Sequence, residues 1–204
     1  GLILLKENAA TSARYALDVS AGVELVGFAT SGLTLGGTVG VRINKMLAPV
    51  NEDIPVGDGS MHIQFDTAAD FQGFSGTNVT LTVANVASLQ GNFVFTKEVV
   101  GDTTKIKIGA TSVDAFLGTD NGTSAEGDDM GIRINDATLG VVLFKQGTSA
   151  TYALDASAGA QLVGFGSLLS LSGTIGVRVN NTGGPVSETV VVEGTSVPVV
   201  FGDG

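Results

Sequence analysis

An all-β fold is what this chain of 204 residues predicts, and three observations carry the prediction. Apolar side chains alternate with small or polar ones at period two, the repeat of a strand with one buried face. Short turns rich in Gly, Asn and Asp separate the alternating stretches. No stretch combines a helical period with capping residues. Composition agrees: 30 glycines and a charged fraction of only 15%, against roughly 25% in an average soluble domain, describe a β protein with tight turns and small side chains.

Taken in order, the elements justify this reading. GLILLK at 1–6 and YALDVSAGVELVGF at 15–28 open the chain as strands. In the segment 32–54, GLTLGGTVGVRIN alternates before a Pro-containing stretch. LTVANVASLQGNF (81–93), IKIGATSVDAFLG (106–118), IRINDATLGVVLF (132–144) and YALDASAGAQLVGF (152–165) share one plan: a short strand, a patch of small residues, a second strand. Small residues permit a bulge where a bulky side chain would clash. Each is therefore expected to be a long strand bent in its middle, with Asp18, Ser20, Ala84, Ala110, Ala137, Asp155 and Ser157 as the bend residues. Asp18 and Asp155 are expected to close their bends by Asx-type hydrogen bonds. Hairpins are expected around Gly101–Asp102, at Gln146–Ser149 and around Asn181–Pro185. Strands joined by such short loops are antiparallel. The expected architecture is a meander of bent strands folded into an elongated two-layer sandwich, with a β-solenoid as the alternative. MHIQFDTAADFQGF (61–74) fits no part of this pattern.

The chain also repeats itself. Tyr15–Phe28 and Tyr152–Phe165 differ at three positions, 137 residues apart, and 32–54 matches 168–190. GLILLK matches GVVLFK at 140–145. Residues 1–139 read as a first unit whose N-terminal part is cut short, and 140–204 as part of a second. This is the pattern of a window on a tandem array, in which neighbouring units cover each other's strand edges. The succession LSGTIGVRVNNTGGPVSETVVVEG, GTNVTLTVANVASLQGNFVF and KIKIGATSVDAFLG resembles the tandem β-repeats of giant secreted or surface-displayed bacterial proteins of structural or adhesin-like type. That resemblance implies an extracellular or cell-surface array and brings no catalytic residues with it.

Chemistry-bearing patterns are sparse. With Lys+Arg at 10 and Asp+Glu at 20, the net charge of −10 argues against a phosphate-backbone partner. No apolar run is long enough for a membrane helix. There is no Cys, and the single His62 cannot build a multi-ligand zinc site. No Gly-x-Ser-x-Gly elbow, dinucleotide fingerprint or phosphate loop occurs. One loop, GTDNGTSAEGDDMG at 118–131, gathers Asp120, Asn121, Glu126, Asp128 and Asp129, oxygen ligands of the kind calcium takes. A solvated acidic loop is the alternative, so calcium is a candidate ligand and no cofactor is required. Arg42, Arg133 and Arg178 recur in GVRIN, GIRIN and GVRVN, where cross-strand pairing on a wet face is expected.

These readings favour a non-enzymatic structural repeat: a segment of a β-rich fibre or stalk that associates with neighbouring repeats or further copies of itself. A ligand- or glycan-binding adhesin module, with calcium as a structural aid, is the alternative. A mean hydropathy of +0.36 points to apolar faces available for such contacts.

Overall fold

The computed structural model describes residues 1–5, 13–24, 33–84, 86–119, 129–166 and 169–202. Among them are thirteen strands and no helix. They are β1 (Leu2–Leu5), β2 (Arg14–Glu24), β3 (Leu33–Asn44), β4 (Val50–Val56), β5 (Gly59–Phe65) and β6 (Asp70–Val83). The chain continues as β7 (Ala87–Val100), β8 (Thr103–Thr119), β9 (Met130–Gln146), β10 (Ser149–Val163), β11 (Ser172–Asn180), β12 (Val186–Val192) and β13 (Thr195–Phe201).

Nine strands make one antiparallel sheet in the order β1-β2-β3-β6-β7-β8-β9-β10-β11. This is a meander, interrupted once where β4 and β5 leave the sheet as a separate hairpin. A second hairpin, β12–β13, follows β11. The two hairpins supply the second layer, both lying on the same face of the sheet. The boundary at 139/140 falls within β9, so both sequence repeats share one continuous sheet.

Turn chemistry explains the short connections. Gly57, Gly101 and Gly147 each stand at φ 59° as the first residue of a two-residue turn, a conformation glycine adopts without steric cost. Gly101–Asp102 and the turn after Gln146 lie where the sequence places hairpins. The stretch 181–185 does not close a hairpin: β11 pairs with β10, and β12 pairs with β13. That loop instead lifts the chain from the sheet into the second layer. The hairpin turns later, at Glu193 (φ 47°) and Gly194 (φ 76°).

The long strands are bent by bulges, but the extra residues are Asn78 in β6, Ser112 in β8 and Asp136 in β9. All three have positive φ, at 48°, 50° and 48°. Two are held by a side chain of a neighbouring strand: Asn78 N–H donates to Asn92 Oδ1 at 2.8 Å, and Asp136 N–H to Asp114 Oδ1 at 2.9 Å. Ala110 and Ala137 flank bulges, and Ala84, at φ 46°, belongs to the turn after β6. Asp18 and Asp155 close no bend, because β2 and β10 run without a register shift against β3 and β11. Ser20 lies in the same unshifted pairing, whereas Ser157 flanks the register shift between β10 and β9, with its hydroxyl 3.0 Å from that of Thr138. At Ser112 the left-handed conformation burdens any residue with a Cβ. Ser112→Gly is therefore expected to be neutral or stabilising by up to about 1 kcal/mol. Ser112→Val is expected to destabilise by roughly 1–2 kcal/mol, since a β-branched residue resists positive φ. Chemical denaturation of both variants measures the difference.

The two cores lie under the hairpins. One joins Ala16 of β2 to Val50, Ile63 and Phe65, with Ile3 and Phe71 at its margin. The other joins Val142 and Ala153 to Val186, Val190, Val192, Val197 and Val199. The opposite face of the sheet is apolar and open, with Phe74, Phe95, Ile175 and Val177 all exposed. Near the bulges it carries a groove of about 340 Å³, lined by Phe93, Ala110, Leu139, Ala156, Ile175 and Val177.

Candidate functional site

The strongest arrangement of polar chemistry is a clasp that holds each hairpin on the sheet, and it occurs twice. In β3, Arg42 Nε donates to Asp18 Oδ2 at 2.8 Å, and its Nη2 donates to the carbonyl of Gln64 in β5 at 2.5 Å. Its guanidinium lies 4.8 Å from the Phe65 ring centre. In β11, Arg178 Nε donates to Asp155 Oδ2 at 2.8 Å, its Nη2 donates to the Val200 carbonyl at 2.7 Å, and it lies 4.7 Å from Phe201. A planar guanidinium suits such a clasp, because its fork serves a carboxylate and a carbonyl while its face stacks on a ring. Asp18 and Asp155, expected from the sequence to form bends, are instead the anchors of the two arginines. Both pairs are cross-strand, as expected from the sequence, and the arginines reach the second layer with their side chains still about half exposed, so each ion pair contributes no more than about 1 kcal/mol.

Two residues further on, an asparagine shapes the exit from the sheet. Buried Asn44 accepts from Met46 N–H at 2.9 Å and donates through Nδ2 to the carbonyls of Ala48 (3.0 Å) and Thr67 (3.2 Å). Asn180 repeats this, accepting from Thr182 N–H at 3.0 Å and donating to the Gly184 carbonyl at 2.9 Å. The Asx-turn sets the direction in which the hairpin leaves. Arg-x-Asn is thus a local instruction: the arginine clasps the hairpin and the asparagine launches it. The third occurrence, Arg133-Ile134-Asn135, launches none. Arg133 instead pairs with Asp129 at 3.1 Å beside the Phe116 ring.

Glycines make the seat. A Cβ at Gly109 of β8 would lie 2.6 Å from Val192 and 2.7 Å from Val190. At Gly140 of β9 it would lie 2.7 Å from Val199 and 3.0 Å from Val197. Gly1 stands in the same relation to the first hairpin, where a Cβ would meet Ile54 and Ile63 at 2.8 and 2.9 Å. Bare backbone lets the hairpin valines approach closely enough to exclude water.

A charged lock lies beside the second seat. Glu188 of β12 takes Lys105 Nζ at 2.5 Å and Lys107 Nζ at 2.9 Å, and Lys107 also donates to the Thr189 carbonyl at 2.9 Å. Burial pushes the Glu188 carboxyl up, but the hydrogen bonds and charges of both lysines outweigh it, so its pKa is lowered from the ordinary 4.5. A depressed folded-state pKa stabilises the protein fully above the unfolded value, and that contribution disappears as pH falls through the folded value. Glu188→Gln is accordingly expected to cost about 1–2 kcal/mol at neutral pH. The gap between parent and variant should close below about pH 4 in denaturation curves.

The remaining candidates are dispersed. Asp120, Asn121, Glu126 and Asp128 lie outside the described residues. Asp129 is buried and ion-paired with Arg133. Among the described residues no group of three or more His, Asp or Glu side chains gathers as a metal site. His62 sits exposed on β5 with Nδ1 2.9 Å from Asp53 Oδ1, and this hydrogen bond raises its pKa. The clasp partners Phe65 and Phe201, the launching asparagines and the Glu188 lock escaped sequence reasoning. Only the duplicated Arg-x-Asn triplet pointed toward them. Comparison with family models, curated proteins and solved structures returned no match for this chain.

Proposed function

We propose that this chain is a non-enzymatic structural repeat segment of an extracellular or cell-surface β-fibre or stalk, associating through strand pairing between repeats. One observation carries the reading. Among the described residues the sheet ends in β1 and β11, whose sequence counterparts inside the same sheet, β9 and β3, are each paired on both sides. The two edge strands therefore have the sequence of interior strands. An edge left open in this way invites a further strand, whereas proteins that end at an edge blunt it with charge, Pro or a cover. Each repeat adds the same hairpin, clasp and glycine seat, so load passes along the array through main-chain hydrogen bonds and interlocked units. The open apolar face offers a second surface for contact between copies, and no nucleic acid, membrane insertion or cofactor is needed.

The test is the shape of a protein with several units joined in tandem. Six meander strands per repeat at the usual strand spacing predict a rod that lengthens by roughly 29 Å per unit, before any reduction by twist. Negative-stain images or small-angle scattering of two, four and six units measure this. Compact particles whose length does not follow the unit number defeat the proposal.

A further inference from the structure

The two hairpins are equivalent in sequence position but not in burial, and the difference identifies a docking surface. Val192 and Val197 of the second hairpin are 1% and 7% exposed. Their counterparts Val56 and Met61 in the first are 54% and 43% exposed. Glu188 is locked by two lysines, whereas its counterpart Glu52 is exposed. The differences at Val192 and Glu188 trace to one strand, while Val197 lies against Gly140 of β9. Gly109 of β8 lies under Val190 and Val192, and β8 supplies Lys105 and Lys107. The first hairpin has the Gly1 seat that corresponds to Gly140, and the main chains of Gly1 and Asp18 are hydrogen-bonded at 3.0 Å, matching the register of Gly140 with Asp155. Among the described residues, it has no counterpart of β8.

We infer that the outer edge of β1, together with Glu52, Val56 and Met61, receives the β8 strand of another unit of the repeat, joined ahead of this one in the array. This rests on the array reading above. The occupant presents Lys-x-Lys-x-Gly: its glycine lies opposite Gly1 as Gly109 lies opposite Gly140, and its two lysines close on Glu52. Charge and shape are complementary, since the surface is an exposed carboxylate beside apolar side chains that need a bare backbone beneath them. A separate copy of this chain does not qualify, because its own β8 is paired on both edges, with β7 and β9.

The experiment begins with the chain as it is, using amide hydrogen exchange read by mass spectrometry. Segment 52–63 is expected to exchange faster than segment 188–199. A second copy of residues 70–139 is then placed ahead of Gly1, so that Leu139 runs into Gly1 as it normally runs into Gly140. Protection at 52–63 is expected to rise to the level of 188–199. Val56→Asp, expected to be neutral in the original chain, should lower the unfolding midpoint of the extended one, as Val192→Asp is expected to do in the original. The inference is overturned if 52–63 exchanges unchanged in a folded extended chain, if the added segment remains unprotected, or if 52–63 is already protected in the original. Rods with an unprotected first hairpin would remove this interface and leave the fibre reading standing. A protected hairpin in compact particles would do the reverse.

Discussion

Val199→Asp is expected to unseat the second hairpin and destabilise the protein by at least about 3 kcal/mol. Val199 is fully buried, with one methyl against the bare backbone of Gly140 and its neighbours Val190, Val142 and Ala153 in the same core. A carboxylate there has no cation to meet. Lys105 and Lys107 are already engaged by Glu188, and Arg178 by Asp155. Hydrating the charge is cheaper than burying it unpaired, so the hairpin lifts and carries Val186, Val190, Val192 and Val197 into water with it. Each of those valines then forfeits up to about 1.5–3 kcal/mol of burial, which is why local opening does not restore stability. Val200→Asp provides the control: that side chain points outward and is half exposed, so a change within about 0.5 kcal/mol is expected. Urea unfolding of both variants, with hydrogen exchange over 186–201, separates the outcomes. Equal midpoints for the two would contradict the assigned packing.

The all-β meander was legible because its signals are local. Alternation in GTIGVRVN places Arg178 and Ile175 on opposite faces, and Gly101–Asp102 and Gly147 mark their turns by themselves. The second layer was not legible, because what makes it is not local. Nothing near Asn180 distinguishes a loop that returns beside β11 from one that climbs onto the sheet; the difference lies in side-chain bonds to residues further along. Met61-His62-Ile63-Gln64-Phe65 escaped the repeat pattern for a related reason. It is the counterpart of Val197-Pro198-Val199-Val200-Phe201, but shares with it only the alternation and the final phenylalanine. The bends were recognised as a class and misplaced by a residue or two. Alanines mark the crowded neighbourhood, while the extra residues themselves are Asn, Ser and Asp, of which Asn and Asp are the types enriched at positive φ. The duplicated aspartates drew attention as bends because their partners, Arg42 and Arg178, stand 24 and 23 residues away.

Asn44→Ala is the second large effect, expected to cost about 3 kcal/mol and to loosen the first hairpin while the sheet persists. Asn44 is fully buried, and all three of its hydrogen bonds go to backbone groups of the loops entering and leaving that hairpin. Truncation leaves the Met46 N–H and the Ala48 and Thr67 carbonyls without that partner. An unsatisfied buried group costs about 1–3 kcal/mol, and the loop recovers part of this by opening to water. Asn44→Asp is the sharper probe. It keeps the size and the acceptor for Met46, but replaces a donor to two carbonyls with an anion facing both. It is therefore expected to be at least as damaging as alanine at neutral pH. On acidification through its own titration it should partly recover, because the protonated form can donate to one carbonyl. Asn180→Asp is expected to behave the same way at the second hairpin, where Thr182 Oγ1 also bonds the Gly184 carbonyl at 3.0 Å and softens the loss. Hydrogen exchange over 46–67 and 182–201, measured at neutral and acid pH, would reveal the local opening. A uniform loss of protection across β7–β10 would mean instead that the asparagine supports the whole sheet, and that the launch role is wrong.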